Sequence, residues 1–433
     1  MSSSEVNDMS TVAHTSSGRR LWSANVLIPV ATITSNVLSY GLFLAAARVL
    51  DRAVYGETLA LLNLVLIATI PMFAIQTVVA RLTATRSVPE RTAGISVLVG
   101  VGGALVMFAV APLVVSFLYL PSYWGMIGAA MCVPPLAVLG LAQGAAQGRH
   151  HWQWLCGALT LMGIGRVLGG VLGLFLTHSS GGTLIGTAIG LWIAAVIVWR
   201  PAVRLTYLSV PQRGISIASL LREIAHAAHA HGAFLFLSSL DLVLARHILS
   251  PADAGLYAAG AVIFKAALWL PQPVSIMLFA DLSLVPRHRA AVRRGLLIVG
   301  LLVAATIAGC LVLGRIVAIV VGGASYGDLA SEAWLFAVAG GALALIQFAI
   351  FSGLAMLRRR RLTYIWMCVV AEVVAMLMLG EGATPRQFIS IVAILCALTS
   401  VFAMIAALKY DPIKTPPKTV PAAQVDGAKH LSS

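Results

Sequence analysis

Four ionisable side chains lie deep inside apolar stretches of the sequence: Arg166, Lys265, Asp241 and Glu372. A charged group at the centre of a bilayer costs at least ~2.5 to 3.5 kcal/mol on insertion scales, so each one retained needs a partner or a task. Arg166 or Lys265 could neutralise Asp241 or Glu372, and Asp241 could instead pair with Arg246 or respond to a proton. Glu372 could hold a proton or a sodium ion, or complete an interhelical hydrogen bond.

Other residue types that could bind metals form no suitable pattern. His226, His229 and His231 lie beside Glu223, but their spacing does not place all three on one helix face, so they are interpreted as interfacial histidines. The five cysteines lie inside apolar stretches without CxxC spacing, which indicates packing residues rather than disulfides or a zinc site. The sequence therefore predicts no metal site, no catalytic residue and no bound cofactor, and leaves open coupling to H⁺ or Na⁺.

The composition is that of a membrane protein. Hydrophobic residues make up 60% of the chain, charged residues 10%, and the mean hydropathy is +0.95, whereas soluble domains average about 25% charged residues. A net charge of +14 would suggest nucleic-acid binding in a soluble chain. Here the concentration of basic residues in cytoplasmic loops accounts for it, and no nucleic-acid partner is expected.

The apolar stretches have the length of membrane-spanning helices, which need about 20 residues each. Backbone groups in lipid must be hydrogen-bonded within their own segment, so each span is predicted to be helical. Twelve spans are predicted, near residues 24 to 47, 57 to 80, 93 to 118, 123 to 147, 153 to 176, 181 to 199, 224 to 245, 255 to 280, 295 to 321, 331 to 357, 362 to 380 and 387 to 408.

Basic residues are distributed unequally between alternate loops. Of the 29 Lys and Arg residues, 22 lie in one set of loops and termini, while the other set holds only Arg48, Arg52, Arg246 and Arg386. Because basic residues near helix ends stay on the cytoplasmic side, both termini are predicted to be cytoplasmic in a multi-pass protein of the inner (cytoplasmic) membrane. Contact with anionic lipid headgroups is expected, particularly through Arg358 to Arg361.

An internal repeat divides the chain into two halves. Ala47-Arg48 leading to Tyr55-Gly56 is echoed by Ala245-Arg246 leading to Gly255, an offset of about 200 residues. The prediction is an all-α polytopic membrane protein of about twelve transmembrane helices in two parallel six-helix lobes, with mid-helix prolines such as Pro71, Pro134, Pro135, Pro271 and Pro273 bending helices where the lobes move. The predicted segments are a disordered tail (1–18), an N-terminal lobe (19–200), a linker (201–222), a C-terminal lobe (223–408) and a second disordered tail (409–433).

Several stretches resemble bacterial polysaccharide or oligosaccharide flippases. The family pattern of an Ala-Arg-x-Leu turn, an aromatic-Gly step and a later Gln is matched by Ala47, Arg48, Leu50, Tyr55, Gly56 and Gln76. Further matches are "GLAQGAAQGRHHW", "GGTLIGTAIGLWIAAVIVW" and "DLVLARHILSPADAGLYAAGAVIFKAALWLP". Together these stretches resemble the Wzx-like polysaccharide transporter family of the multidrug/oligosaccharidyl-lipid/polysaccharide exporter superfamily, which implies a MATE-like fold.

The resemblance implies transfer of a polyprenyl-diphosphate-linked glycan from the cytoplasmic to the outer leaflet by alternating access, without bond chemistry. Arg166, Lys265, Arg48 and Arg246 are then expected to contact the anionic headgroup, since guanidinium and ammonium groups suit phosphate. Asp241, which matches an aspartate of the family, and Glu372 are the expected coupling or charge-partner residues. Expected partners are the lipid-linked glycan, anionic lipids, and glycosyltransferases or a polymerase of the same pathway.

Three other functions stay open. A multidrug or cation antiporter of the same superfamily would favour a cavity rich in acids, and this sequence has few. A membrane glycosyltransferase or glycan polymerase would be expected to carry acidic pairs in a large outer loop, but the longest outer loop, near residues 322 to 331, contributes only Asp328 before Glu332. A scaffold that recruits glycan-assembly enzymes is the third alternative.

Overall fold

The computed structural model describes residues 41–84, 88–89, 91–207, 217–272, 274, 278, 282, 287–355, 363–380 and 382–410. Within these residues the chain is almost wholly helical and has no β-strand, which confirms the predicted all-α class. A helical stretch at residues 41–49 comes first, and a 3₁₀ segment, Ala324–Ser331, lies between the eleventh and twelfth of the helices named next. The helices are α1 (Arg52–Ile67), α2 (Ile70–Ala84), α3 (Thr92–Phe117), α4 (Trp124–Met131), α5 (Val133–Gly148), α6 (Trp152–Thr177), α7 (Ser180–Tyr207), α8 (Ile217–Leu237), α9 (Leu240–Ile248), α10 (Pro251–Trp269), α11 (His288–Gly322), α12 (Ala333–Ala355), α13 (Thr363–Leu377) and α14 (Pro385–Leu408).

The described helices have the dimensions of a multi-pass membrane protein. Eight spans among the described residues are long and apolar enough to cross a membrane, and the bent pair α8 and α9 would make a ninth. Outward-facing leucines such as Leu105 on α3 and Leu301 on α11 are more than 60% exposed, as expected for a surface in contact with lipid. The predicted number of twelve stays a prediction, because most of the first predicted span lies outside the described residues.

Two of the predicted spans are each built from two shorter helices, and prolines lie at both breaks. The span predicted at 57 to 80 is interrupted at residues 68–69, and Pro71 follows in the first turn of α2. The span predicted at 123 to 147 is interrupted at Cys132, just before Pro134 and Pro135 in the first turn of α5. Proline lacks an N–H and clashes with the preceding turn, so it is tolerated at a helix start and breaks a helix interior.

Three helices begin at capped turns. The Asp51 carboxylate accepts a hydrogen bond from the Val54 N–H at 2.9 Å at the start of α1. Ser250 accepts from the Asp253 N–H at 3.2 Å before α10. Thr384 forms a capping box with Gln387 before α14. These side chains satisfy N–H groups that have no partner within the helix, which fixes where each helix starts.

The interior contains two large apolar cores. One is formed mainly by residues between 42 and 202, and the other mainly by residues between 233 and 403, with residues 46–59 also packing into the second. The lobe boundaries proposed from the sequence remain predictions, and residues 208–216 of the predicted linker 201–222 lie outside the described residues.

Small residues allow α6 and α7 to pack with their backbones in close contact. A Cβ atom placed on Gly190 would overlap the carbonyl of Gly165, and one on Gly186 would overlap the carbonyl of Gly169. No other residue type leaves room for that approach, and in membranes such close packing of small residues holds helices together.

Contacts between turns define two ends of the molecule. At the first, which we call the Arg48 end, Arg48 contacts the Val320 carbonyl and His247 contacts the Phe117 carbonyl. At the other, which we call the Arg81 end, Arg81 pairs with Glu223, while Gln76 contacts Gln147 and Arg149 contacts the Leu205 carbonyl. Both contacts at the Arg48 end, and the ion pair of Arg81 with Glu223 at the Arg81 end, join the first half of the chain to the second.

The glycine contact between α6 and α7 makes a testable prediction. Gly190→Ala should destabilise the protein by about 1 to 3 kcal/mol, because the added methyl group forces the two helices apart. Gly157→Ala is the matched control on α6, since a Cβ there meets no neighbouring atom within 4 Å. Thermal unfolding of both variants in the same detergent measures the difference, and equal midpoints for the two would contradict the predicted role of the contact.

Candidate functional site

A buried polar cluster lies within the second half of the chain. The Lys265 ammonium, on α10, donates hydrogen bonds to the Ser238 carbonyl and to the Ser239 hydroxyl, the latter at 3.1 Å. Asp241 on α9 and Glu372 on α13 interact electrostatically with the same ammonium, at longer range than the two serine oxygens. Three helices thus place two carboxylates around one cation. Lys265, Asp241 and Glu372 are 6%, 2% and 1% exposed, so water does not screen their charges.

A break in a helix creates the acceptors for Lys265. Residues 238 and 239 separate α8 from α9, and the two helices meet at an angle of 47°. The Ser238 carbonyl lies at the C-terminal end of α8, where carbonyl groups have no partner within the helix. Discontinuous helices are used in membrane transporters to present such backbone groups to ions. Here a side chain of the same protein, Lys265, takes that position.

Asp241 is anchored by a tyrosine rather than by an arginine. The Tyr257 hydroxyl donates a hydrogen bond of 2.9 Å to the Asp241 carboxylate. The alternative pairing of Asp241 with Arg246 is not what the structure shows. A separation of five residues in the short helix α9 places the two side chains on different faces. Lys265 instead provides the positive charge near Asp241.

Glu372 is the least satisfied member of the cluster. Its Oε1 atom is buried and has no hydrogen-bond partner among the residues that the structure describes. The ionisable groups that face it are Asp241, Lys265, Tyr257 and two thiols, those of Cys368 and Cys396. A buried carboxylate oxygen without a donor is costly, so this atom is where the cluster is most easily changed by a proton or an ion.

The two halves of the chain meet along a second polar feature, a seam at the Arg48 end. Arg48 reaches the Val320 carbonyl at 3.5 Å, and Arg246 interacts electrostatically with Glu57. Arg48 therefore contacts the other half directly, and Arg246 interacts with it electrostatically. Glu57 is buried and also accepts a hydrogen bond from the Ser180 hydroxyl. The Arg246 Nε atom is buried and has no hydrogen-bond partner in the described part of the chain.

Aromatic and glycine residues close the seam at the Arg48 end. Arg52 lies 5.1 Å from the ring centre of Tyr326 and 3.8 Å from the Asp328 carboxylate. Burial raises the pKa of Tyr326 to about 12, against the opposing effect of Arg52, so its phenol stays neutral. The echoed glycines Gly56 and Gly255 face each other, and a Cβ on either would meet the backbone of the opposite half.

A different set of residues joins the halves at the Arg81 end. Arg81 on α2 forms an ion pair with Glu223 on α8. The Thr77 hydroxyl lies 3.0 Å from the His231 ring, which also packs on Phe73 at 5.7 Å. Both ends of the interface between the halves are therefore closed by direct contacts in this conformation.

The cations expected to contact a headgroup do not form one group. Arg48 and Arg246 both lie in the seam at the Arg48 end, and Lys265 lies in the acidic cluster. Arg166 is half-buried on α6 in the first half, where it interacts electrostatically with Cys132. A surface depression of about 370 Å³ beside α14 includes Arg386 but none of these four residues.

Sequence reasoning missed two residues of these sites. Glu57 was placed at the start of a span rather than recognised as a buried acid, although the stretch Ala53 to Ala60 contains no other charge. Tyr257, two residues after the echoed Gly255, is not predicted from the sequence as a donor to Asp241. A signal existed for both: a polar group surrounded by apolar residues in a helix needs a partner.

Two of the histidines on α8 contact side chains of other helices. His229 stacks on Trp366 at 5.6 Å, and His231 contacts Thr77 and Phe73. No group of three or more His, Cys, Asp or Glu side chains within the described part of the chain is arranged to hold a metal ion.

Comparison with known proteins identifies the fold. No protein-family model and no curated protein sequence matches this chain. The structure resembles an inward-facing MATE multidrug resistance transporter of the MOP superfamily, with a TM-score of 0.66, 11% identity, and 92% of this chain and 96% of the other covered. It also resembles the lipid II flippase MurJ in an inward closed conformation, with a TM-score of 0.67, 12% identity, and coverages of 94% and 90%. A third similar structure is the Vibrio cholerae MATE transporter VcmN, with a TM-score of 0.65, 13% identity, and coverages of 91% and 97%. The chain therefore has the MATE-like fold over nearly its whole length.

Proposed function

We propose that this protein is a flippase that moves a polyprenyl-diphosphate-linked oligosaccharide or polysaccharide precursor across the cytoplasmic membrane by alternating access. The observation that carries the proposal is the seam at the Arg48 end, where arginines cross between the two halves of a MATE-like fold. In this function the halves separate at one end while they stay in contact at the other, and no covalent bond in the glycan changes.

The arginine contacts in the seam are weak enough to be exchanged for phosphate. Arg48 reaches a carbonyl at 3.5 Å, Arg52 reaches a carboxylate at 3.8 Å, and Arg246 leaves its Nε without an acceptor. A diphosphate offers oxygens that bind guanidinium groups in pairs, through bonds roughly twice as strong as neutral ones. A headgroup that reaches the seam would therefore compete for the arginines and favour separation of the halves.

Arg166 is assigned to an earlier point on the headgroup path. It lies on α6, outside the seam and the acidic cluster, and a half-buried guanidinium keeps its charge in such surroundings. Lys265 is given a different role, because its ammonium is already engaged by the Ser238 and Ser239 oxygens and faces two acids. We therefore propose Arg166, Arg48 and Arg246 as headgroup contacts and keep Lys265 with Asp241 and Glu372.

The alternative functions fit the geometry less well. A multidrug or cation antiporter would use exposed acids to attract its substrates, whereas Asp241 and Glu372 are buried around Lys265 and Glu57 faces Arg246. A glycosyltransferase or a scaffold has no need of arginines that join two halves at a separable interface. The proposal includes glycan-assembly enzymes and anionic lipids as the expected partners. It also places both termini on the cytoplasmic side.

Depletion of the protein should cause a lipid-linked glycan precursor to accumulate in the cytoplasmic leaflet. Arg166→Ala should fail to reverse this accumulation, because the charged headgroup loses a buried cation on its path. Arg315→Ala, which removes an exposed arginine from α11, is the matched control and should restore normal precursor levels. Lipid extraction and quantification of the precursor, with protein levels measured in each strain, test this prediction. A change in drug sensitivity alone would favour the antiporter.

Cross-linking either end of the interface should stop transport. In a cysteine-free background, we expect a reducible bifunctional thiol cross-linker joining Arg52→Cys and Asp328→Cys to raise precursor accumulation to the level of the depleted strain, with recovery on reduction. Arg81→Cys with Glu223→Cys should have the same effect at the other end, since alternating access requires both ends to open.

The matched control for these cross-links lies within one half of the chain. Gln76 and Gln147 contact each other at 3.3 Å on α2 and α5. The same cross-linker joining Gln76→Cys and Gln147→Cys should leave transport intact. Full transport by a protein that is completely cross-linked at Arg52→Cys and Asp328→Cys would show that the seam does not open.

A further inference from the structure

The surroundings of Lys265 have the chemistry of a site for a small cation. Its ammonium is held by a carbonyl at a helix C-terminal end and by a hydroxyl, with the carboxylates of Asp241 and Glu372 facing it. Hard cations such as Na⁺ prefer oxygen ligands of these kinds, and discontinuous membrane helices present them. The oxygens that a metal ion would need are therefore gathered around an amino group of the protein itself.

The charges of the cluster do not balance without one more proton. Two carboxylates and one ammonium give a net charge of −1 when all three are ionised. An uncompensated charge at 1% to 6% exposure is strongly disfavoured in a low-dielectric interior. One proton bound to a carboxylate removes this net charge of −1. Asp241 already accepts a hydrogen bond from Tyr257, whereas the Glu372 Oε1 has no partner within the described ranges, so Glu372 is the place for that proton.

We infer that Lys265 permanently occupies the cation position of this site, and that the only ion the site exchanges is a proton on Glu372. The tethered ammonium excludes Na⁺ because it takes the same oxygens and adds a charge of the same sign. Other ionisable groups facing Glu372 are Tyr257, Cys368 and Cys396, all of which are neutral when protonated.

The inference rests on the proposed transport function in one respect only: if the protein is a flippase, its transport is coupled to H⁺ and not to Na⁺. Ion binding itself can be measured without any glycan substrate. A failure of the ion measurements would leave the flippase proposal intact, and a failure of the flippase tests would leave the ion site intact.

Removal of the ammonium should convert the site into one that binds sodium. The full-length protein in detergent is compared in NaCl and in choline chloride at equal ionic strength, by thermal unfolding. Wild type should show the same midpoint in both salts. Lys265→Ala should unfold at a lower temperature in choline chloride and gain several degrees specifically in NaCl, because a ligand that binds only the folded state stabilises it.

Lys265→Met is the matched control for loss of charge without loss of volume. Its unbranched side chain fills the space of the lysine stem, so it should be destabilised like Lys265→Ala but should not respond to Na⁺. Lys265→Ala combined with Glu372→Gln should lose most of the response to Na⁺, because a carboxylate ligand is gone. A sodium-specific shift in the wild-type protein would overturn the inference, as would equal responses of Lys265→Ala and Lys265→Met.

The proton on Glu372 can be observed without any lysine variant. The infrared spectrum of the wild-type protein should contain a C=O band from a protonated carboxyl group. This band should be lost in Glu372→Gln, a nearly isosteric change, so it should appear in the difference between the two spectra. Persistence of the band in a folded Glu372→Gln protein would place the proton elsewhere and overturn that part of the inference. If Lys265→Ala does not fold, this spectrum and the wild-type salt comparison still decide the question.

Discussion

The hydrogen bond from Lys265 to the Ser238 carbonyl stabilises the break between α8 and α9, and the other polar features of the structure depend on this break. Membrane helices can be interrupted only where the freed backbone groups find new partners, because lipid offers none. The break between α8 and α9 meets that condition through an ammonium from α10, which in turn requires the acids of α9 and α13. One interruption of the backbone thus links four helices through a single charged side chain.

The same break connects the cluster to the interface between the halves. α8 packs against α2 through the ion pair of Arg81 and Glu223, and α9 carries Arg246 towards Glu57 on α1. A change of protonation or of charge in the cluster therefore acts on two helices that form opposite ends of the interface. The bent pair α8 and α9 is therefore a physical route by which a proton on Glu372 could bias which end of the interface opens. This route is a movement of two helices and not a series of small shifts between neighbouring residues.

The repeat in the sequence has a direct structural counterpart at the seam. Gly56 and Gly255 occupy equivalent places in the two halves and approach each other so closely that neither can carry a side chain. Arg48 and Arg246 each interact with the opposite half. Yet the interactions differ, since Arg48 contacts a backbone carbonyl, whereas Arg246 interacts electrostatically with the buried Glu57 carboxylate. The two halves are similar in design, but the acidic cluster described here belongs to the second half.

The sequence by itself determined the all-α membrane class, because hydrophobic stretches of the right length leave the backbone no other structure. It also predicted helix bends at prolines, which the breaks beside Pro71 and beside Pro134 and Pro135 match, and it indicated which ionisable residues needed an explanation. Only the tertiary structure decided the partners: that Asp241 is held by Tyr257, that Lys265 faces both acids, that Glu57 is buried, and that Arg166 lies apart. Distances between helices far apart in the chain depend on packing of all their surfaces together, and periodicity along one helix carries no information about which neighbour its polar face will meet.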